Sequence, residues 1–291
     1  MTDNSKAPTA PAKTGGHSSR VKTALIGIAV VIPIVYYGKG VFNLVTAFLA
    51  FAGMRELVLA ARRVDKSLMV EGAYAGLFLI LGAMLTASQI WGSDDGLHRR
   101  TLLLGLLFFC VPVGMFMRAI FRYGTSRPAS LVSVALTTLA VFYVGLFAFL
   151  PLLRGLPTHG QRLFWILLLG VWTGDTIAYY AGRAFGRTKL TPLSPGKTRE
   201  GALAGALATM AMCWLVSWNA PFSTTDKLAI GVLIALFAPM GDLVESFWKR
   251  ELGVKDLGGI LPGHGGILDR CDSLLFAAFP VYFYALWRIV V

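Results

Sequence analysis

Two pairs of carboxylates stand near the C-terminal end of the chain. Asp242 and Glu245 are three residues apart, and Asp269 and Asp272 repeat that spacing. Residues three apart lie on one face of a helix, so each pair presents two carboxylates to the same side. Four converging carboxylates repel one another unless cations lie between them, and such hard oxygen ligands suit Mg²⁺, whose coordination substrate phosphates usually complete. The spacing therefore predicts a magnesium site.

Cations and glycines fill the segment between the two pairs. The basic side chains there match phosphate groups in charge and geometry; they are Lys249, Arg250, Lys255, His264 and Arg270. Several glycines in the same segment let a backbone approach a ligand closely. His264 fits a structural hydrogen bond in this glycine-rich turn as well as it fits a substrate contact. Metal ligands, phosphate-binding cations and a glycine-rich loop together indicate a metal-assisted phosphoryl or nucleotidyl transferase.

A second group of polar residues precedes this segment. Asp175 lies inside an apolar run, where an ionisable side chain is costly and is a functional candidate by default; a polar contact between helices is the alternative. The loop after it has five basic residues together with Ser194 and Thr198, a composition suited to holding phosphate oxygens. The tripeptide at 196–198 is similar to the end of a Walker A loop, but Thr191 stands where that motif requires its first glycine. A P-loop NTPase is therefore excluded.

The amino-acid composition indicates the class of protein to which these residues belong. Of the 291 residues, 56% are hydrophobic and only 14% are charged, and the mean hydropathy is +0.66. Ordinary soluble domains are about 45–50% apolar and about 25% charged. The three cysteines have neither disulfide-framework nor zinc-ligand spacing. These values exclude a soluble enzyme with a membrane tail, a disordered chain and a disulfide scaffold, and they predict a polytopic membrane protein.

Nine apolar runs are long enough, or nearly so, to cross a bilayer as helices. They lie at about 22–37, 40–60, 73–91, 101–121, 129–153, 163–185, 201–218, 227–248 and 273–290. Since every backbone polar group in lipid needs an internal partner, helices are the expected form, and the predicted fold is all-α. Within the seventh run, Gly201 and Gly205 have a spacing that lets two helices approach closely.

The chain divides into three regions. Residues 1–20 form a polar, basic tail that is too poor in apolar residues to fold and is predicted to be disordered. Residues 21–160 form the N-terminal transmembrane helices. Residues 161–291 form a C-terminal catalytic transmembrane region with substrate-binding loops.

The distribution of basic residues predicts the orientation in the membrane. Nineteen of the 27 Lys and Arg residues lie in the tail and in the loops after even-numbered runs, and seven lie on the opposite side. Because cytoplasmic loops hold the excess of Lys and Arg, we expect a cytoplasmic N-terminus and an active site that faces the cytoplasm. The net charge of +12 is then explained by the lipid bilayer, with no nucleic acid as partner. The short outer loops favour a bacterial inner (plasma) membrane.

At this point two segments become recognisable. The second has the pattern Ser246-x-x-Lys249-Arg250-x4-Lys255-Asp256-x-Gly258-x2-Leu261-Pro262-x-His264-Gly265-Gly266-Ile267-x-Asp269-Arg270-x-Asp272. It resembles the signature of the phosphatidate cytidylyltransferases, also called CDP-diacylglycerol synthases. The first, from Asp175-Thr176 to Ser194-Pro195-x-Lys197-Thr198-x-Glu200-Gly201, also resembles that family, with Arg199 where an aromatic residue is expected. The resemblance is specific over about 174–273.

The resemblance implies that CTP and phosphatidate react to give CDP-diacylglycerol and pyrophosphate, with Mg²⁺ as cofactor. The lipid phosphate would attack the α-phosphorus of CTP in line. Both reactants are anions, so catalysis must mainly neutralise charge and position the groups. A phosphate monoester is already a nucleophile, so this chemistry needs no Ser/His/Asp triad.

The resemblance and the chemistry assign roles to individual residues. The expected metal ligands are Asp242 and Asp269, followed by Asp272 and Asp256. The remaining groups are expected to contact phosphates, the nucleotide or the lipid head group; they are Lys249, Arg250, Arg270, Ser246, Lys255, His264, Ser194, Lys197, Thr198 and Asp175. Asp175 fits either a second metal or a contact to the base.

Two other functions stay open at this point. One is a related CTP-dependent lipid enzyme, such as a polyprenol-type kinase or an archaeal CDP-lipid synthase. The choice of lipid acceptor depends on the surface that contacts the lipid chains, and the sequence does not identify that surface. The other is an ion or phosphate carrier that uses Asp175, Asp242 and Asp269 as a relay. A carrier should place polar residues near the centres of its spans, whereas here they cluster at the cytoplasmic ends. The oligomeric state is also open, and a homodimer is one outcome.

Overall fold

The computed structural model describes residues 29, 31–36, 39–89, 96–125, 128–259 and 265–290. The predicted tail over 1–20 lies outside the described residues, and so do most of the first predicted run and His264. The described residues form helices and no sheet, which confirms the all-α prediction. Lys189 and Thr198 form an isolated antiparallel bridge.

After a helical stretch over 31–36, nine α-helices follow one another along the described residues from Lys39 onward. They are α1 (Lys39–Ala61), α2 (Val70–Gln89), α3 (Gly96–Phe121), α4 (Leu131–Gly145), α5 (Phe149–Arg154), α6 (Gly160–Phe185), α7 (Arg199–Val216), α8 (Thr224–Glu251) and α9 (Leu268–Ala285). A 3₁₀ turn joins α4 to α5, and a π-helical turn follows α9. Each predicted apolar run from 40–60 onward overlaps a described helix, and the run at 129–153 corresponds to α4 and α5 together.

Four helical segments are long and apolar enough to span a membrane, judged by length and composition. They are Gly40–Ala61, Leu131–Arg154, Gly160–Phe185 and Thr224–Glu251. Shorter apolar helices cover Val70–Ala83 and Phe109–Phe121. The protein is thus a multi-pass membrane protein, while the count of nine spans and the cytoplasmic N-terminus stay predictions.

Apolar side chains cover the outside of the bundle as well as its core. Large hydrophobic residues that are more than half exposed include Leu44, Phe48, Phe78, Leu203 and Leu207. A water-soluble monomer rarely exposes contiguous apolar surface on this scale. The outward faces of these helices are therefore suited to lipid.

The short helix α5 ties the N-terminal helices to the last helix. The ring of Phe149 on α5 lies 4.9 Å from that of Phe279 and 5.6 Å from that of Tyr282, both on α9. Tyr282 is among the largest fully buried side chains. Aromatic pairs of this geometry contribute about 0.5–1.5 kcal/mol beyond the area that they bury, so α5 helps to hold α9 in place.

Helices α6 and α7 pack closely together, because glycines line their contact. A Cβ atom on Gly205 would lie 2.8 Å from both the Cβ of Ala178 and the carbonyl oxygen of Gly174. A Cβ on Gly201 would lie 2.6 Å from the carbonyl oxygen of Ala178. The close approach expected from the spacing of Gly201 and Gly205 is confirmed, and it sets the width of the site that lies between these helices.

We expect Gly205→Ala to destabilise the protein, because the new methyl group would press on the backbone of α6. Overpacking of this kind costs about 1–3 kcal/mol, and thermal unfolding in detergent at one scan rate measures it. Gly114→Ala is the matched control, since a Cβ there meets nothing within 4 Å and a helical alanine is slightly stabilising. Equal unfolding midpoints for the two variants would contradict the close α6–α7 contact.

Candidate active site

A cavity of about 800 Å³ lies between α6, α7, α8 and the start of α9. Most of the site residues predicted from the sequence line it: Asp175, Lys197, Thr198, Asp242, Lys249, Asp256, Asp269, Arg270 and Asp272. Four predicted residues are described but lie outside its wall: Ser194, Ser246, Arg250 and Lys255. Residues that are more than 90 positions apart in sequence therefore meet in one space.

Three carboxylates converge at the contact between α8 and α9. One oxygen each from Asp242, Glu245 and Asp272 can be chosen so that all three lie within 4.8 Å of one another. Gly241 allows this approach, because a Cβ there would collide with the carbonyl oxygen of Asp272 and lie 2.9 Å from the Cβ of Phe276. The pairs that the spacing predicted on two separate helices thus face each other.

Glu245 has a buried oxygen that lacks a hydrogen-bond partner in the part of the chain that the structure describes. Its side chain is buried, and among the described residues its Oε1 has no hydrogen-bond partner. A buried carboxylate oxygen without a partner is costly, and a divalent cation or a metal-bound water would satisfy it. The three carboxylates, with hard oxygen donors and an unused buried oxygen, fit Mg²⁺.

Lys249 lies between two carboxylates that come from different helices. Its Nζ is 2.6 Å from Oε2 of Glu245 on α8 and 2.9 Å from Oδ1 of Asp269 on α9. The side chains of the two acids are 2% and 5% exposed, so the lysine compensates charges that water does not reach. Lys249, expected to contact phosphate, is engaged here with carboxylates, and it also lines the cavity.

Asp269 lies beside the three-carboxylate cluster rather than in it. Its Oδ1 accepts from Lys249 and its Oδ2 accepts a hydrogen bond from the backbone N–H of Gly266 at 2.7 Å. Both oxygens therefore already have one partner. Glu245, which the spacing placed on the same helix face as Asp242 and among the four converging acids, joins Asp242 and Asp272 in the cluster, and Asp269 stays a predicted metal ligand beside it.

The loop between α6 and α7 delivers a second lysine to the cluster. The Nζ of Lys197 lies 2.5 Å from Oδ2 of Asp242. The hydroxyl of Ser246 donates to the other oxygen of Asp242 at 3.4 Å, so Ser246 supports the site without lining the cavity. Asp175 lines the same cavity from α6.

Backbone hydrogen bonds hold this loop in a hairpin-like shape. The N–H of Leu190 donates to the carbonyl of Lys197, and that of Arg199 donates to the carbonyl of Thr188. Thr198 begins α7 as its N-cap, since its Oγ1 accepts from the N–H of Gly201 at 3.1 Å. Its side chain is thereby used in starting the helix, which places Lys197 directly before a fixed helix terminus.

Glu200 ties the base of the loop to α7. Its carboxylate accepts hydrogen bonds from the backbone N–H groups of Arg187 and Thr188 at 3.1 Å. Hydrogen bonds from its own backbone N–H, and then from Thr188 and Arg187, lower the pKa of Glu200 to about 2. The carboxylate is therefore ionised, and the loop remains anchored, over the physiological pH range.

Glu56 on α1 reaches the site from the N-terminal helices, and the sequence analysis did not single it out. Its carboxylate accepts from the backbone N–H groups of Ile267 and Leu268 at the start of α9. The signal that could have identified it is an acidic side chain inside a long apolar run, the same signal that identified Asp175.

Comparisons with known proteins give one consistent result. The model of a family described as the cytidylyltransferase family matches residues 18–288. A phosphatidate cytidylyltransferase of Staphylococcus haemolyticus is 33% identical over 264 residues, which cover 88% of this chain and 94% of that protein. One from Bacillus subtilis is 30% identical over 269 residues, which cover 91% of this chain and 96% of that protein.

Removing the lysine between the buried acids should destabilise the protein. Breaking a buried ion pair by deleting one partner costs about 3–5 kcal/mol, so we expect Lys249→Met to lower the thermal unfolding midpoint in detergent. Lys255→Met is the control, because that lysine is exposed and its loss should leave the midpoint nearly unchanged. A Lys249→Met midpoint equal to that of the control would show that Lys249 does not compensate Glu245 and Asp269.

We expect Glu200→Gln to loosen the α6–α7 loop throughout the range from pH 7 to pH 5. Because folding lowers the pKa of Glu200 from its ordinary 4.5 to about 2, its anchoring is fully present above pH 4.5 and is lost as the pH falls towards 2. Hydrogen exchange of a peptide over 186–198, corrected for intrinsic rate, should stay constant in the unsubstituted protein from pH 7 to 5. Glu200→Gln should raise it throughout, whereas the exposed Glu251→Gln should not; a rise in both would contradict this anchoring.

Proposed function

The chain belongs to the cytidylyltransferase family, and from this premise and the geometry of its cavity we propose that it joins CTP to phosphatidate, giving CDP-diacylglycerol and pyrophosphate. Its relatives named phosphatidate cytidylyltransferase match nearly their whole length, so the chain is an enzyme of this type. The strongest support is this full-length similarity combined with the acid-rich cavity, which contains the motif residues that specify the family resemblance.

We assign a Mg²⁺ site to the carboxylate cluster of Asp242, Glu245 and Asp272. Asp269 and Asp256 line the same cavity and remain proposed ligands. When bound, the metal ion supplies positive charge to the phosphates of CTP. Glu245 supports this assignment most directly, since its buried Oε1 has no partner among the described residues.

The reaction itself is a single displacement at phosphorus. A phosphate oxygen of phosphatidate forms a bond to the α-phosphorus of CTP, and the bond from that phosphorus to the bridging oxygen breaks, so that pyrophosphate leaves with the electron pair. The nucleophile is already an anion and gives up no proton that a strong base must remove. The protein therefore has to position the two anions and compensate their charge.

Cationic side chains in the cavity wall are suited to that task. Lys197, Lys249 and Arg270 line the cavity, and we propose that they contact the phosphates of the two substrates. Lys197 projects from an anchored loop, so its ammonium group is held near the cluster without closing the cavity. Thr198, Ser194, Ser246 and Asp175 remain proposed contacts to the nucleotide or the lipid head group, as do Arg250, Lys255 and His264.

The membrane setting follows from the helices that form the walls. Lipid-facing surfaces and an acid-rich cavity on the same helices suit an enzyme that takes one substrate from the leaflet and one from water. We propose an inner-membrane location with the cavity open to the cytoplasm, where CTP is available, and the excess of basic residues on one side supports this orientation. A homodimer and the absence of a nucleic-acid partner remain predictions.

Purified protein in detergent with phosphatidate, Mg²⁺ and labelled CTP should form labelled CDP-diacylglycerol. We expect EDTA to stop the reaction and Asp242→Asn or Asp269→Asn to lower the rate at least about a hundredfold, roughly 3 kcal/mol of barrier. Glu71→Gln is the control, because Glu71 is exposed and pairs with Arg118 away from the cavity; its rate should be unchanged.

Three results would overturn parts of this proposal. If folded protein forms no CDP-lipid from phosphatidate but acts on a polyprenol or an archaeal-type lipid, the acceptor is wrong. If labelled phosphate enters sealed vesicles without CTP, the protein is a carrier. If EDTA has no effect, the metal assignment is wrong.

A further inference from the structure

We propose that Glu56 on α1 is a positioning residue for the active site, acting through the first turn of α9. The inference rests on the proposed function, because the residues that Glu56 positions are Asp269 and Asp272. It concerns a residue far from the family signature in sequence, in the N-terminal half of the chain.

Glu56 caps the N-terminus of α9, where the N-cap residue itself offers no side-chain acceptor. The first backbone N–H groups of any helix have no partner within the helix, and Ile267, at the N-cap position of α9, makes no side-chain capping bond. The carboxylate of Glu56 takes that role, accepting from the N–H of Ile267 at 2.8 and 3.0 Å and from that of Leu268 at 3.2 Å. A carboxylate is also the favoured charge at a helix N-terminus.

The side chain of Glu56 is tightly enclosed by its neighbours. Its side chain is buried, with 2% of its surface exposed. A Cβ on Gly258 would collide with its Oε1, and a Cβ on Gly266 would lie 2.6 Å from its Oε2. Two glycines of the motif therefore make room for a side chain that lies 211 residues before its hydrogen-bond partner Ile267 in the chain.

Glu56 and Asp269 accept hydrogen bonds from neighbouring backbone N–H groups at the start of α9. Three consecutive N–H groups, those of Gly266, Ile267 and Leu268, are shared between Asp269 and Glu56. Without Glu56, two of them would be buried without a partner, which is unfavourable because a buried donor then loses both water and protein acceptors. A shift of the first turn of α9 would relieve this cost and would move Asp269 and Asp272 relative to α8. Displacements of about 1 Å at a reacting centre can lower rates about a hundredfold.

Three variants separate positioning from simple stabilisation. Glu56→Met has similar length and no acceptor, Glu56→Gln keeps one acceptor oxygen, and Gly258→Ala disturbs Glu56 without changing it. Glu71→Met on α2 is the matched control, since Glu71 is an exposed acid away from the cavity. The measurements on each folded, monodisperse protein are hydrogen exchange of the peptide over 265–272, Mn²⁺ affinity by electron paramagnetic resonance, and kcat and KM for CTP.

We expect Glu56→Met to raise exchange at Ile267 and Leu268, to weaken Mn²⁺ binding at least about fivefold, and to lower kcat at least about tenfold with KM for CTP within about threefold. Gly258→Ala should reproduce these effects, and combining it with Glu56→Met should add little, because both act through one contact. Glu56→Gln should retain most of the activity, and Glu71→Met all of it.

If Glu56→Met leaves hydrogen exchange of the peptide over 265–272 unchanged, Glu56 does not cap α9 and the proposal is wrong. Raised exchange with unchanged Mn²⁺ affinity would overturn the positioning role and leave Glu56 as a stabilising residue only. If Glu56→Met does not fold, Gly258→Ala and Glu56→Gln decide the same question. If the unsubstituted protein makes no CDP-lipid, the proposed function fails, while exchange and Mn²⁺ affinity still decide the role of Glu56.

Discussion

Lys249 lies between Glu245 and Asp269, and the charge balance of the whole cavity depends on that contact. Each ionised group removed from water costs several kcal/mol, and the cavity wall gathers five aspartates and glutamates from α8, α9 and the segment between them. A cation shared by two helices offsets part of this repulsion and joins the helices at the same time. Lys197, which lies in the loop between α6 and α7, pairs with Asp242 and offsets part of the negative charge of the cluster from that side.

This arrangement explains why so many glycines lie around the site. Gly241 lets α8 approach α9, Gly205 lets α7 approach α6, and Gly258 and Gly266 admit Glu56. In each case at least one atom that a Cβ would strike belongs to a backbone or to a buried carboxylate, which cannot move aside cheaply. The glycines thus have a packing role that differs from the close approach to a ligand for which the sequence suggested the motif glycines.

The N-terminal helices are more than an anchor in this structure. α1 supplies the cap of α9 through Glu56, and α5 packs aromatic rings against the middle of α9. The resemblance that identified the family is specific only over the C-terminal region, yet the helix that presents Asp269 and Asp272 is held at two points by residues of the N-terminal region. The family match over 18–288 agrees with a protein in which both halves belong to one enzyme.

Much of this protein could be predicted from the sequence, because the deciding signals are local. Long apolar runs must become helices in lipid, and acids three apart must share a helix face, so the helices and the two carboxylate pairs follow from short stretches of chain. The motif around 246–272 identified the family for the same reason.

The tertiary structure decided which carboxylate oxygens converge. It brought Glu245 into the cluster, gave both oxygens of Asp269 other partners, used Thr198 as a helix cap and brought Glu56 to α9. These outcomes depend on which helices and loops meet and on contacts across 211 residues, which a local sequence pattern does not encode.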